Sequence, residues 1–127
     1  MKKTLLNLAQ AYVGECQART RYSFYASQAK KDGSEQIAAI FNETADQEKQ
    51  HAKQFYKLFL KLKADLGVKE DVMIDQVAVP AMLGTTIENL TAAANGEQHE
   101  WNEMYPGFAK IAEIGRAHVW TPVTEYD

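Results

Sequence analysis

Apolar side chains recur along this chain at steps of three and four over long stretches. From about Lys3 to Lys31 one face carries Leu5, Leu8, Tyr12, Glu15, Arg19, Tyr22, Ala26 and Ala29, the alternation expected of a helix packed on one side. Gly33 marks its stop, and Ser34 is placed to cap the helix that follows. From about Glu35 to Leu66 the face reads Ile37, Phe41, Thr44, Glu48, His51, Phe55, Leu58 and Leu62, and Gly67 ends it. The next segment has β-branched residues at Val72, Ile74, Val77 and Val79 but no strand partner. A connection this long between helices suits a crossover along the side of a bundle. A third helix, over about 86–112, opens at a capping box formed by Thr85 and Glu88. Its face shows Leu90, Ala93, Glu97, Glu100, Met104, Phe108 and Ile111, with a local bend expected at Pro106. The pattern predicts an all-α bundle with helices at about 3–31, 35–66 and 86–112 and a long crossover between the second and third.

Composition narrows the class. At 127 residues, 46% apolar and 24% charged, the chain reads as one globular domain. A net charge of −3, with Lys and Arg spread along the sequence, gives no nucleic-acid surface. Cys16 is the sole cysteine, so neither an internal disulfide nor a four-cysteine metal site can form, and a reducing, cytoplasmic setting fits. Asn7, Gln10 and Glu15 interrupt the first helix too soon for a signal peptide or a membrane span. An internal repeat aligns "NLAQAYVGE" at residues 7–15 with "NLTAAANGE" at residues 89–97, an offset of 82. It places a glutamate on the apolar face both times and suggests two helix pairs in tandem.

Those glutamates are the chemical signal. Glu15, Glu48, His51, Glu97 and Glu100 all fall on faces otherwise meant for a core. Buried carboxylates do not stay ionised together without cations. Arg19 could pair with one of them, and lysines with others, giving a metal-free helical interaction module. A divalent metal is the stronger solution. Glu48 and His51 are three apart on one helix and can reach the same ion. Oxygen-rich ligation with one imidazole suits Fe(II) or Mn(II) better than structural zinc. A lone E-x-x-H is weak evidence; acids on three separate helices at similar depth carry the reading. By default Tyr12, Tyr22 and Tyr105 are core aromatics, Cys16 is a small core residue, and His99 lies on a solvated face.

Three segments then carry a family resemblance: "GECQARTRYSFYASQAKKDG", "IAAIFNETADQEKQHAKQF" and "TTIENLTAAANGEQHEWNEMYPGFAKIAE". In order, spacing and flanking residues they resemble the ferritin-like di-iron domain of rubrerythrins over residues 4–113. The resemblance implies a ferritin-like four-helix bundle and a non-haem centre of two iron ions, with manganese or a mixed pair as variants. It implies reduction of hydrogen peroxide to water in the cytoplasm. Carried over by position, the metal ligands are Glu15, Glu48, His51, Glu97 and Glu100, with Glu48 bridging, and Tyr22 and Tyr105 stand near the irons. The family forms homodimers, and the long crossover would permit exchange of helix pairs. A ferritin-like ferroxidase that turns over oxygen is the nearest alternative.

Two departures qualify the resemblance. A rubredoxin-like module needs two Cys-x-x-Cys pairs, so electrons are expected from a separate rubredoxin-like donor. The repeat places a second E-x-x-H at positions 130 and 133, past residue 127, so the bundle is expected to lack most or all of its fourth helix and the centre to be impaired. The tail "IGRAHVWTPVTEYD" fits neither repeat nor family. It resembles the translation of a sequencing-library adapter with UGA read as Trp120, so residues 114–127 are expected to be non-native or disordered beside a native domain of 1–113.

Overall fold

The computed structural model describes residues 1–75 and 77–118. All regular structure among them is helical: α1 (Lys2–Lys31), α2 (Glu35–Asp65), α3 (Thr86–His99), a π-helical turn (Glu100–Met104) and α4 (Tyr105–His118). The last three run on without a break. Residues 119–127, and with them most of the segment expected to be non-native, lie outside the described residues. No helix among the described residues is long and apolar enough to cross a membrane.

α1 and α2 pack along their length, while α3 and α4 lie against α1. The turn between α1 and α2 is tight. Gly33 takes a φ of 86°, a left-handed conformation that a side chain would disfavour. Ser34 N–H returns to the Ala29 carbonyl at 2.8 Å and closes the end of α1. The core cluster is Ala18, Tyr22, Tyr25, Ala26, Phe41 and Ala45, with Ile37 and Ala93 packed on it. Three alanines let the backbones approach, and the aromatics fill the space between them. Tyr25 meets Phe41 edge to face at 5.4 Å, a favoured aromatic geometry.

The buried face of α1 keeps Leu5, Glu15, Tyr22, Ala26 and Ala29 of the apolar pattern and adds Ala11, Ala18 and Tyr25. Leu8, Tyr12 and Arg19 are only half-buried. Glu15 and Tyr22 are kept, so the chemistry is unmoved while some packing partners change. α2 likewise buries Ala38, Ala45 and Ala52 beside Phe41 and Glu48.

The crossover is fastened at its far end by polar side chains. Asp32, just past α1, accepts hydrogen bonds from both the backbone N–H (3.1 Å) and the hydroxyl (2.7 Å) of Thr86. The Thr85–Glu88 capping box forms as expected, with bonds of 3.0 and 3.2 Å. Tyr25 donates its hydroxyl to the Met82 carbonyl at 2.8 Å. Fully buried Asn89 accepts from Gly84 N–H at 2.8 Å and donates to the Gly84 carbonyl at 3.1 Å. Alanine at position 89 would leave both Gly84 groups without this partner. Asn89→Ala is therefore expected to cost about 1–3 kcal/mol, read as a lower urea midpoint with unchanged slope.

The third helix does not stay plain α-helix up to Pro106: Glu100–Met104, just before it, form a π turn. Proline has no N–H to donate to the residue four back. The helix widens just before it, and Tyr105 N–H bonds to the Glu100 carbonyl, five residues away. In a plain α-helix, residues five apart point well away from each other. With the π turn between them, Glu100 and Tyr105 both line the cavity that Glu15 of α1 also borders.

Candidate metal centre

The polar residues of the three faces converge beside the aromatic core. Glu15 on α1 and Glu48 on α2 are each 3% exposed. Nδ1 of His51 stands 3.6 Å from Glu15 Oε2 and 3.7 Å from Glu48 Oε2. These separations are too long for good hydrogen bonds. The same two carboxylate oxygens are sealed from solvent with no hydrogen-bond partner among the described residues. Glu15, Glu48 and His51 each offer a ligand atom, and these atoms lie within 4.8 Å of one another. Ligand atoms sharing an ion with bonds of about 2.1 Å stand about 3–4 Å apart. Two orphaned buried carboxylate oxygens facing one imidazole nitrogen therefore fit a divalent cation. The imidazole itself is 46% exposed, less deeply set than the stripe implied.

Glu97 and Glu100 come from the third helix. With Glu15, His51 and Tyr105 they line a cavity of about 320 Å³, although their oxygens do not join the closer three-residue group. The structure thus brings four of the five expected ligands to one cavity, with Glu48 beside His51. Two tyrosines hold the carboxylates in place. Tyr105 donates a hydrogen bond to Glu15 Oε1, and Tyr22 donates to Glu97 Oε1 at 3.0 Å.

Crowding of acids in a shielded site shows in their protonation. Burial, with Glu15 and Glu97 adding repulsion, pushes the Glu100 carboxyl up to about 7. Burial also raises Glu15, although Tyr105 and His51 oppose the shift. Both tyrosines are held above the ordinary phenol range, by burial first and by the carboxylates they bond second. Arg19 is not among the groups acting on Glu15. The cation near the site is Arg21, which favours ionised Glu100 and stands 5.9 Å over the Tyr22 ring. No apolar spacing marks Arg21, so the sequence pattern passed over it. Gln54, also in the cavity wall, was missed too; its position one turn beyond His51 was the available signal.

A larger groove, about 750 Å³, lies elsewhere, between α1 and residues 79–83. Tyr12, Cys16 and Met82 line it, and no carboxylate or imidazole does. Size alone does not mark the chemistry.

Comparison with known proteins agrees with the geometry. Residues 7–119 match the family described as Rubrerythrin. The chain is 51% identical over 111 residues to rubrerythrin-1 of Clostridium acetobutylicum, covering 87% of this chain and 55% of the relative. It is 50% identical over 113 residues to rubrerythrin of Porphyromonas gingivalis (87% and 52%). Against rubrerythrin of Nitratidesulfovibrio vulgaris it is 49% identical over 130 residues (97% and 63%). The chain spans little more than half the length of these curated relatives.

Proposed function

Since this chain belongs to the rubrerythrin family, we propose that it forms part of a non-haem di-iron protein that reduces hydrogen peroxide to water. The observation that carries this reading is the pair of orphaned buried oxygens, Glu15 Oε2 and Glu48 Oε2, facing His51 Nδ1. Glu15, Glu48 and His51 would hold one metal, and Glu97 and Glu100 would complete the ligand set from the third helix. Iron is the proposed metal; manganese or a mixed pair satisfies the same oxygen-rich donors. Bound there, reduced metal supplies the two electrons that peroxide cleavage requires.

The chain's own residues do the rest. Tyr105 fixes Glu15 and Tyr22 fixes Glu97, so each carboxylate presents its other oxygen in a set direction. The aromatic wall of Phe55 and Tyr105, 5.5 Å between ring centroids, limits water at the site. Electrons are proposed to come from a separate rubredoxin-like donor, and the working unit to be a cytoplasmic homodimer, with helix exchange across the long crossover.

The test is a stopped-flow comparison on ferrous-loaded protein. Peroxide is expected to oxidise it faster than dioxygen does. Faster oxidation by dioxygen would replace this reading with that of a ferroxidase.

A further inference from the structure

Basic residues occur all along the sequence, but one stretch of α2 concentrates them. Residues 49–64 hold five lysines and no acidic residue, in a chain of net charge −3. Lys49, Lys53 and Lys57 recur at steps of four, which lines them up as a ridge about 12 Å long. All three are exposed, and none takes part in an ion pair among the described residues. Lys53 and Lys57 have no acid three or four residues away in either direction. Like charges at that spacing weaken a helix, so the ridge carries a cost that nothing in α2 offsets. Tyr56 and Leu60 follow Lys53 and Lys57 by three residues and flank the ridge with apolar surface, 42% and 46% exposed. The buried side of the same turns carries Glu48 and Ala52. The ridge therefore stands about one helix diameter, about 10 Å, from the candidate ligand Glu48.

We propose that the ridge of Lys49, Lys53 and Lys57 is the docking face for a small acidic electron-carrier protein. Its use in electron delivery rests on the di-iron reading, while the docking itself rests on the charge. Positive charge gathered on one helix of an acidic chain steers a negative partner to that helix and away from the rest of the surface. Tyr56 and Leu60 give such a partner an apolar contact beside the charges. A face this small suits the brief, weak encounters of electron transfer. Three lysines are few for nucleic acid, whose binders commonly neutralise about six to ten phosphates. They are few for an anionic membrane surface too, where about four to eight basic residues act together. The position of the ridge behind Glu48 keeps the path to the site within one helix. Each docking passes one electron and leaves the carrier oxidised by one. Two dockings, with two protons from solvent, supply what converts one hydrogen peroxide to two waters.

Two measurements decide it. A zinc-substituted rubredoxin of net negative charge, which cannot transfer electrons, is titrated into ¹⁵N-labelled metal-free protein. Saturable shifts of backbone amides over residues 49–60 are expected. They are expected to vanish at about 1 M salt, where charges are screened beyond about 3 Å. Shifts centred on another face, shifts that survive the salt, or no shifts overturn the proposal. So does binding of the ridge to duplex DNA or to phosphatidylglycerol vesicles in place of rubredoxin. The second measurement is the rate at which reduced iron rubredoxin re-reduces peroxide-oxidised, iron-loaded protein at low salt. Replacing the ridge (Lys49→Gln, Lys53→Gln, Lys57→Gln) is expected to slow it about tenfold, at wild-type iron content and the wild-type rate of oxidation by peroxide. The variant Lys2→Gln, Lys31→Gln, Lys69→Gln removes the same charge from exposed sites elsewhere and is expected to change the rate far less. Equal slowing by both variants, or none by the ridge variant, overturns the proposal. Failure of the wild type to load iron would count against the metal reading, and the amide shifts would still decide the docking face.

Discussion

Replacing Tyr25 with alanine is expected to destabilise the chain by about 3–5 kcal/mol, the range for losing a fully buried aromatic. Tyr25 is 1% exposed. Its ring packs on Tyr22 at 5.9 Å and Phe41 at 5.4 Å, and its hydroxyl holds the crossover at Met82. Such a loss is a large part of the about 5–15 kcal/mol that stabilises a typical domain. Tyr25→Phe keeps the packing and removes one hydrogen bond, so about 1 kcal/mol is expected. Tyr12→Ala provides the contrast. Tyr12 is half-buried and meets Tyr56, itself 42% exposed, at a tilt of 35° and 4.9 Å between ring centroids, so its loss is expected to cost less than that of Tyr25. Urea denaturation of the three variants orders them. A Tyr12→Ala cost equal to that of Tyr25→Ala would place the core on the wrong face of α1.

Metal-free protein is expected to become more stable when acidified from pH 7 to pH 5, the reverse of ordinary acid denaturation. Glu100 titrates at about 7 in the folded chain against an ordinary 4.5, and Glu15 is raised as well. Between those two values the folded chain binds more protons than the unfolded one. Stability therefore falls as pH rises through that window and is level above it. The full shift of Glu100 corresponds to about 3 kcal/mol. Glu100 itself is only half-buried, so solvent screens much of this, leaving about 1 kcal/mol. Asp32 and Glu88 have the opposite sign, held low by the hydrogen bonds they accept from Thr86 and Thr85. Their contribution is lost only below the ordinary carboxylate range, so the window from pH 5 to 7 isolates the acids of the cavity. Bound Fe(II) is expected to invert the trend, because protons then compete with metal for the same oxygens. Thermal midpoints with chelator and with Fe(II), at both pH values, show the two slopes. A metal-free midpoint that climbs with pH would contradict the arrangement of the acids.

The helices, their ends and the chemistry were legible in the sequence for different reasons. Gly33, the Thr85–Glu88 box and the three-four spacing act locally, so both ends of α1 and α2 and the start of α3 could be read from neighbouring residues, whereas the third helix runs on to His118, past the expected end near 112. Glu15 and Glu48 stood out because a carboxylate on an apolar face has few physical explanations. The packing face of α1 was harder. The stripe through Tyr12 and Arg19 and the stripe through Ala18 and Tyr25 share Leu5, Glu15, Tyr22, Ala26 and Ala29, and α1 alone does not choose between the residues on either side. The choice depends on which residues let α2 approach, and there alanine outranks larger side chains. The π turn was legible only as an expected bend. That the helix would widen before Pro106 depends on how the lost hydrogen bond is relieved, which spacing does not encode.

The central claim is that Glu15, Glu48 and His51 hold metal in this chain. The most direct measurement is iron retained per chain after anaerobic loading with Fe(II) and desalting, for wild type and for the Glu48→Ala, His51→Ala variant. Circular dichroism would establish that both are helical. The account predicts iron that stays with the wild type and is lost from the variant. Iron absent from a folded wild type, or held equally by the variant, would contradict it.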